Sequence, residues 1–274
     1  MLTTGSTFAG YTILGRLARG GMADIYVARD AAGQQSVLRV LLSSLRWHWR
    51  AVHQFRWGCD VLSKLDHPNV IHLFEQGKFK GSRYALMEYA TGGNLKERIR
   101  HNSPSLVTER RTLLLGMASG LAHIHEHGFI HLDFKPENVL LTADMEPKIT
   151  DFDLCIPRPQ HPHQHPQRAK QLSGTFAYLA PEQILGQPVD ERADIFAFGI
   201  TAYEMLTNHK PFTADTRVEL IRKYTNPNTQ LKPLSSFVPD VPADIERIIL
   251  KCLEKNPDWR YLSMELVAQD LQQS

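Results

Sequence analysis

Short apolar runs bounded by turn residues dominate the first third of the chain. β-Branched and aromatic residues are concentrated in these runs, which is the pattern of strands. The strand-like runs are 11–17, 25–28, 36–41 and 84–87. Gly20 and Gly21 lie between the first two runs and predict a hairpin with close backbone approach at its tip. Apolar residues at helical spacing between about Arg50 and Leu65 predict one helix in this part of the chain.

The rest of the chain follows a helical period. Between about Thr108 and His127, apolar residues recur three and four positions apart, and Gly128 is expected to end this long helix. Asn94 can cap a shorter helix that runs to about Arg100. The pattern therefore predicts a strand-rich first part and a helix-rich second part.

Composition narrows the class of protein. With 274 residues, the chain can bury a large core and suits one two-lobed domain or two small ones. Its 31 basic and 29 acidic residues nearly balance, so global charge does not favour nucleic acid or an anionic membrane as a partner. No stretch reaches the ~18 apolar residues of a membrane span, and residues 1–10 lack a signal-peptide pattern.

The cysteines bear on the cellular compartment. Cys59, Cys155 and Cys252 are odd in number and far apart, with no paired metal-ligand spacing, which predicts reduced thiols. We therefore expect a cytoplasmic protein, with any sensor or anchor on another polypeptide.

One short window carries most of the candidate chemistry. Residues 131–138 contain Asp133, Lys135 and Asn138, and Asp151 follows soon after. Phosphoryl transfer to a hydroxyl requires a carboxylate near the attacking oxygen and groups that hold metal ions on the phosphates. Asp133 can be that carboxylate, while Asn138 and Asp151 can hold the metal. Lys135 can neutralise charge as the bond shifts.

This spacing resembles the catalytic loop and the metal-binding motif of the protein kinase family, HRD-x-K-x-x-N and DFG. Further landmarks follow in the family's order, from about Tyr11 to Leu271. They include a segment that ends in Ala-Pro-Glu at 180–182, a buried-helix segment at 190–199 and Asn-Pro-Asp-Trp-Arg at 256–260. The resemblance is to Hanks-type (eukaryotic-like) serine/threonine kinases, and in style to bacterial members. It implies an α+β fold in which a small β-rich lobe with one main helix (1–89) and a larger helical lobe (90–274) form one kinase domain.

The resemblance also implies a nucleotide pocket between the lobes, with ATP and Mg²⁺ (or Mn²⁺) as cofactors. Backbone groups of Glu88 and Ala90 would meet the adenine edge, and Met87 would gate the pocket behind it. The other nucleotide-binding residues that it implies are Leu17, Gly20, Ile25, Val37, Arg39 and Leu140.

Several structural roles are implied in the same way. Thr175, together with Lys135, matches the serine/threonine-specific branch and is assigned to catalysis beside Asp133. Asp194 would accept backbone N–H bonds from the catalytic loop. Glu182 and Arg260 would form a structural ion pair. Four residues would stack into a spine between the lobes: Leu62, Leu73, His131 and Phe152.

Six positions depart from the family's pattern. They are Ala18, Ala23, Arg39, Gly58, Leu132 and Asp153. Arg39 stands in the place of the phosphate-binding lysine and Gly58 in the place of the glutamate that holds it, so that ion pair is predicted to lack both usual members. A surface cation on a strand is the alternative for Arg39. Asp153, in place of a glycine, could add a metal contact or repel the phosphates.

Residues 155–170 occupy the position of the activation segment. They contain four prolines and the histidines His161, His163 and His165, a composition that favours a mobile Pro-rich loop over a metal site. The first hydroxyl residues after it are Ser173 and Thr175, and Leu132 removes the arginine that would read a phosphate there. Regulation by activation-loop phosphorylation of the usual kind is therefore not expected.

Two other patterns favour structural roles. His123 and His127 lie four apart on the long helix and could form a metal-binding face, but the helix offers no third ligand. Trp47, Trp49 and Trp57 predict a core or interface role rather than base stacking, because no basic stripe accompanies them.

Three functions agree with these residues. The first is an atypical serine/threonine kinase of attenuated activity, which transfers the γ-phosphate of Mg–ATP to a hydroxyl of a protein substrate. The second is a pseudokinase, a nucleotide-binding or scaffold module for a regulatory protein partner. A different nucleotide-dependent transfer ranks third. Neither nucleic acid nor a membrane segment is expected, and the oligomeric state is left open.

Overall fold

A six-stranded antiparallel sheet forms the first lobe. The computed structural model describes residues 2–159, 176–214, 216–226 and 228–274. The strands are β1 Thr7–Phe8, β2 Tyr11–Arg19, β3 Ala23–Arg29, β4 Gln35–Leu41, β5 Leu73–Phe79 and β6 Ser82–Met87. Their order in the sheet is β1-β2-β3-β4-β6-β5. The four predicted runs lie in β2, β3, β4 and β6, and the β2–β3 hairpin is confirmed. Strand β5 was not predicted, because its centre, 75–78, consists of three exposed polar residues and a glycine.

Strand β4 shows how the sheet distributes its side chains. Leu38 and Val40 are buried in a small core on one face. Val37 and Leu41 contribute to the main core on the other face. Because side chains alternate along a strand, Arg39 points to the same face as these two residues, and its side chain is only 15% exposed. A surface position for Arg39 is therefore wrong.

Helix α1 (Trp49–Leu62) packs on that inner face of the sheet. His48 caps its first turn, since Nδ1 accepts a hydrogen bond from the Ala51 N–H at 3.3 Å. The helix buries Phe55, Gly58, Cys59, Val61 and Leu62. It therefore turns one face toward the sheet and toward the segment that follows Asp151.

The tryptophans near α1 differ in burial. Trp57 is partly buried and meets Phe129 edge to face, with ring centroids 6.2 Å apart. Trp47 and Trp49 are 83% and 72% exposed, so a core role is wrong for both.

Helices make up most of the second lobe. They are α2 Leu95–Arg100, α3 Ser105–Thr108, α4 Arg110–Glu126, α5 Pro181–Ile184, α6 Arg192–Thr207, α7 Arg217–Thr225, α8 Ala243–Cys252 and α9 Met264–Gln273. Helix α6 is buried on nearly all sides, as an apolar core helix must be. The predicted cap of α2 is confirmed, because Asn94 Oδ1 accepts from the Glu97 N–H at 2.9 Å. The long helix begins at Arg110 rather than at 108, after the separate turn α3.

Four short strands place the candidate residues. They are β7 Phe129–Ile130, β8 Val139–Leu141, β9 Pro147–Ile149 and β10 Ile156–Pro157. β8 pairs with β9, and β7 pairs with β10. Residues 131–138 connect β7 to β8, and residues 150–155 connect β9 to β10. The two candidate segments are thus anchored side by side, and the α+β class is confirmed.

No helix within the ranges given above is long and apolar enough to cross a bilayer.

Candidate active site

A cleft of about 750 Å³ lies between the sheet and the helical lobe. This volume is in the range of small-molecule sites. Most of the predicted nucleotide and catalytic residues line it, namely Leu17, Gly20, Ile25, Val37, Arg39, Met87, Ala90, Asp133, Lys135, Asn138, Leu140 and Asp151. Ile25 and Val37 of the sheet, together with Leu140, give the cleft apolar lining, and the charged and amide side chains give it polar lining.

One described site residue, Glu88, is not part of the lining of this cleft. The Glu88 side chain pairs with Lys148, with Oε1 and Nζ 2.7 Å apart. Its predicted role, which uses only the backbone carbonyl, stays a prediction. Thr175 lies outside the described residues, as do the loop histidines His161, His163 and His165 and Ser173.

A buried carboxylate on α6, that of Asp194, anchors the catalytic loop (131–138) through hydrogen bonds. Asp194 accepts hydrogen bonds from the His131 N–H at 2.7 Å and the Leu132 N–H at 2.8 Å. His125 Nε2 lies 2.8 Å from the same carboxylate. Burial acts to raise the pKa of Asp194, but these hydrogen bonds and the His125 ring hold it below its usual value. The predicted role of Asp194 is confirmed.

Leu132 adopts a backbone conformation that is rare for its residue type. Its φ is +61°, in the left-handed region, which carries a cost of roughly 1–2 kcal/mol for a residue with a Cβ. The hydrogen bond from Leu132 to Asp194 stabilises this conformation. The Leu132 side chain is buried in the main core, where the family has an arginine.

Three side chains of the loop bond to one another. Lys135 Nζ donates to both carboxylate oxygens of Asp133, at 2.8 and 2.6 Å. Asn138 Nδ2 donates to Asp133 Oδ2 at 2.9 Å and to the Asp133 carbonyl at 2.8 Å. The amide oxygen of Asn138 is then the end that remains for a metal ion. These hydrogen bonds fix the position of the Asp133 carboxylate at the cleft.

Asp151 has the feature expected of a metal ligand. Its Oδ1 is buried and accepts no hydrogen bond within the described part of the chain. The cation at that oxygen is Arg39, whose Nη2 lies 3.8 Å away. An unsatisfied buried carboxylate oxygen and an amide oxygen suit Mg²⁺, which completes its shell with phosphate oxygens and water. The residues that the structure describes contain no cluster of three His, Cys, Asp or Glu side chains able to hold a metal. His123 and His127 therefore have no third ligand of these types within the described ranges.

Arg39 forms a two-point ion pair with Asp153. Nη1 donates to Oδ1 at 2.9 Å, and Nη2 donates to Oδ2. The guanidinium also lies over the ring of Phe55 on α1, 4.9 Å from its centroid. Burial is the largest single influence and acts to lower the pKa of Arg39, but the charge of Asp153, its hydrogen bonds and the charge of Asp151 together raise the pKa above its usual value. The usual lysine and glutamate are both absent, as the sequence shows, and Asp153 is the acid that pairs with Arg39.

Gly58 faces this ion pair from helix α1. A Cβ at position 58 would lie 2.3 Å from Asp153 Oδ1 and 3.1 Å from the Asp153 backbone nitrogen. The next acid along the helix, Asp60, accepts a hydrogen bond from Gln76 instead. Helix α1 therefore contributes space to the pair and no charge.

Comparison with known proteins identifies the family. A family model described as the protein kinase domain matches residues 11–271. The chain belongs to the protein kinase family. It is 30% identical to the probable serine/threonine-protein kinase PknB of Lactococcus lactis, over 99% of this chain and 43% of that protein. It is 32% identical to the tyrosine-protein kinase MasK of Myxococcus xanthus, over 96% of this chain and 42% of that protein.

Solved structures give the same answer for the fold. The crystal structure of the Mycobacterium tuberculosis PknI kinase domain matches with a TM-score of 0.71 at 25% identity, over 100% of this chain and 99% of that chain. The predicted membership among Hanks-type bacterial kinases is confirmed. This kinase chain spans about two fifths of the length of the two curated relatives. The family in general uses ATP, divalent metal ions and protein substrates.

Two further family features are present in the kinase fold. Glu182 and Arg260 form the predicted buried pair, with oxygen–nitrogen distances of 2.7 and 2.8 Å. His131 and Phe152 of the predicted spine meet edge to face, with ring centroids 5.2 Å apart. Leu62 is buried in the same main core, and Leu73 packs against it.

The role of Asp153 in this kinase is the one that sequence reasoning missed. The two expectations for its carboxylate were a metal contact and phosphate repulsion, yet both oxygens bond to Arg39. A signal was present in the sequence. An acid is absent at Gly58 and an additional acid appears at 153, while a cation remains at Arg39.

Proposed function

We propose that this kinase domain binds Mg–ATP in the cleft and transfers the γ-phosphoryl group to a hydroxyl of a protein. One observation carries the proposal. Asp133, Lys135, Asn138 and Asp151 line one cleft together with apolar residues of the sheet, and the first three are joined by hydrogen bonds. The guanidinium of Arg39 lies in the same cleft, 3.8 Å from Asp151 Oδ1.

The residues divide the work of the transfer. The substrate hydroxyl oxygen forms a bond to the γ-phosphorus, the bond from that phosphorus to the β–γ bridging oxygen breaks, and ADP leaves with the electron pair. The hydroxyl proton passes to the carboxylate of Asp133. Lys135, bonded to that carboxylate, neutralises charge on the transferring group. Asn138 and Asp151 would hold Mg²⁺ or Mn²⁺, which neutralises phosphate charge when bound.

The class of hydroxyl is part of the proposal. The pairing of Lys135 with the motif that contains Thr175 supports serine and threonine as acceptors. One relative is described as a tyrosine kinase, so peptides with each of the three hydroxyl residues are the proper substrates for a test. A protein substrate follows from the family, and nothing in the nearly balanced charge supports nucleic acid.

A regulatory module without phosphotransfer is the second candidate. It is favoured by the tip of the β2–β3 hairpin, where the Gly20 N–H donates to the Ala23 carbonyl at 2.9 Å and is not free for a phosphate. Ala18 and Ala23 also line the cleft where the family has glycines. Such a module would still hold Mg–nucleotide and signal through a protein partner.

The two candidates are separated by one pair of measurements. We expect Mg–ATP to raise the melting temperature of the protein, and Asp151→Ala to abolish that rise. With radiolabelled ATP and the three peptides, we expect label on serine or threonine from the wild type. Asp133→Ala should reduce the label by about 100-fold or more. Binding without label would select the regulatory module, and no thermal shift at millimolar nucleotide would contradict both candidates.

A further inference from the structure

Three positions that are distant in the sequence meet at the cation of the cleft. They are Arg39 on β4, Gly58 on α1 and Asp153 in the segment after Asp151. We propose that Asp153 is the positioning carboxylate of Arg39, in the space left open by Gly58, and that it keeps Arg39 away from the metal ligand Asp151. The inference rests on the proposed function in so far as Arg39 is taken to meet the phosphates.

Volume is the first argument. Glycine is among the least favourable residues for a helix interior, yet Gly58 is buried near the middle of α1. A Cβ there would lie 2.3 Å from Asp153 Oδ1, a distance at which one group must move. The side chain of Asp153 thus fills the space that a side chain at position 58 would need.

Charge is the second argument. The Asp153 side chain is 6% exposed and that of Arg39 is 15% exposed, so either charge alone would be poorly hydrated. The carboxylate engages one N–H on each Nη of the guanidinium. Nε–H and the second N–H of each Nη remain for a phosphate. The pair therefore orients Arg39 and leaves it able to donate.

Competition between two acids is the third argument. Arg39 Nη2 lies 3.8 Å from Asp151 Oδ1, which has no hydrogen-bond partner in the described ranges. Without the carboxylate of Asp153, the guanidinium would turn to Asp151 and occupy the oxygen that a metal needs. Asp153 thus protects the metal site as well as orienting the cation.

Because Asp153 supplies the acid instead of a glutamate on α1, a different segment controls the position of Arg39. In the usual kinase arrangement, the glutamate comes from the helix, so the helix position controls the ion pair. Here the acid lies two residues after Asp151, and the Trp57 indole N–H also anchors α1 to this segment through the Cys155 carbonyl at 2.6 Å. Displacement of residues 151–155 would release Arg39 and the metal ligand together.

The first test measures nucleotide affinity with a fluorescent ATP analogue, at a temperature where every variant is folded. Asp153→Asn should weaken binding in Mg²⁺ by about tenfold or more, because the charged two-point hydrogen bond to Arg39 is lost and the guanidinium turns to the metal ligand Asp151. Binding in EDTA should change less, because only the orientation of Arg39 is lost there, and a general loss of structure would not produce this difference. Asp60→Asn removes a nearby acid that does not touch Arg39 and should leave both affinities unchanged. Equal affinities for Asp153→Asn and wild type would overturn the proposal.

The second test restores the usual arrangement. Gly58→Glu alone should weaken Mg–nucleotide binding, since the new side chain collides with Asp153. Asp153→Gly alone should weaken it because Arg39 loses its acid. The double variant Gly58→Glu/Asp153→Gly should bind within about threefold of wild type, since one acid and one open space are exchanged. A double variant that binds no better than the weaker single variant counts against the proposal.

A third measurement needs no nucleotide and separates this inference from the proposed function. Gly58→Ala should lower the melting temperature of the wild type, because its methyl group meets Asp153. The same change should lower the melting temperature of Asp153→Gly much less, because only the contacts with the backbone of residue 153, the nearest 3.1 Å to its nitrogen, remain there. If the wild type binds no Mg–nucleotide, the proposed function fails while this difference between the two backgrounds still supports the pair. An equal loss in both backgrounds would overturn the pair itself.

Discussion

The catalytic loop and the Arg39 site both hold charged groups in a fixed place, but by different means. In the loop, Asp194 accepts hydrogen bonds from the backbone N–H groups of His131 and Leu132. At the Arg39 site, the carboxylate of Asp153 accepts hydrogen bonds from the side chain of Arg39. Backbone donors are fixed by the conformation of the loop, so their acceptor must come from one place in the fold. A side-chain donor can take its acid from either neighbouring element, provided that the other leaves space.

The comparison explains where this kinase follows its family and where it departs. Around the loop, the acid, the cation and the amide are all in the family's positions. Around Arg39, the charge balance is retained while the residue that supplies the acid has moved from the helix to the segment after Asp151. The departures at Gly58 and Asp153 can therefore be one exchange, in which an acid lost at one position is replaced at the other, rather than two separate losses.

The largest effect is expected where backbone donors lose their acceptor. Asp194→Ala would leave the buried N–H groups of His131 and Leu132 unpaired, at a cost of about 3–5 kcal/mol in the free energy of unfolding. Urea unfolding monitored by circular dichroism measures this loss. Asp244→Ala, an exposed residue in the first turn of α8, should change it by less than about 1 kcal/mol. A loss below about 1 kcal/mol for Asp194→Ala would show that the loop is held by something else.

The two buried arginine–carboxylate pairs should differ in their contribution to stability. Arg260 is fully buried, so Arg260→Met would leave the charge of Glu182 unpaired and cost about 3–5 kcal/mol. Arg39→Met should cost less, about 2 kcal/mol, because Arg39 is 15% exposed and borders the cleft, whereas Arg260 is fully buried. Arg247→Met, in an exposed pair with Asp270, serves as the control and should cost less than about 1 kcal/mol. Equal losses at positions 39 and 260 would contradict the distinction.

Kinetics should separate the loop from the Arg39 site. Lys135 contacts Asp133 and lies at the transfer end of the cleft. Lys135→Met should therefore lower kcat by about 100-fold, while the Kd for Mg–nucleotide stays within about threefold. Arg39→Met should instead raise that Kd. The two parameters are obtained from peptide phosphorylation rates and nucleotide titration, and a reversed pattern would mean that the assigned roles are exchanged.

The smallest effect concerns Cys59, the neighbour of Gly58. Burial raises the pKa of its thiol to about 11, and burial also raises the pKa values of Cys155 and Cys252. A raised pKa leaves little thiolate at pH 8, so the folded protein should react slowly with a thiol reagent. Cys59 lines the cleft and should react first as the pH rises toward 11. Peptide mapping after labelling identifies the site, and rapid labelling at pH 8 in the folded state would contradict the burial argument.

Local patterns predicted most of the fold. The β2–β3 hairpin, the cap at Asn94 and the end of the long helix near Gly128 depend on residues close together in the chain. The prediction was less accurate where packing decides. The centre of strand β5 is polar and exposed. The periodic pattern from Thr108 continued through Glu109, where the structure has two separate helices. Trp47, before α1, and Trp49, its first residue, resembled core residues because apolar character alone does not show which side chains face solvent.

The sequence by itself determined the family, the division into a strand-rich and a helix-rich part, and the residue types available at Asp133, Lys135, Asn138 and Asp151, because motif spacing and local periodicity carry all of these. Only the tertiary structure decided the partner of Arg39. The pair joins residues 114 positions apart, and it exists because α1 and the segment after Asp151 approach closely enough for Asp153 to occupy the space beside a glycine. Distances of that kind depend on how the lobes pack, which no local pattern contains.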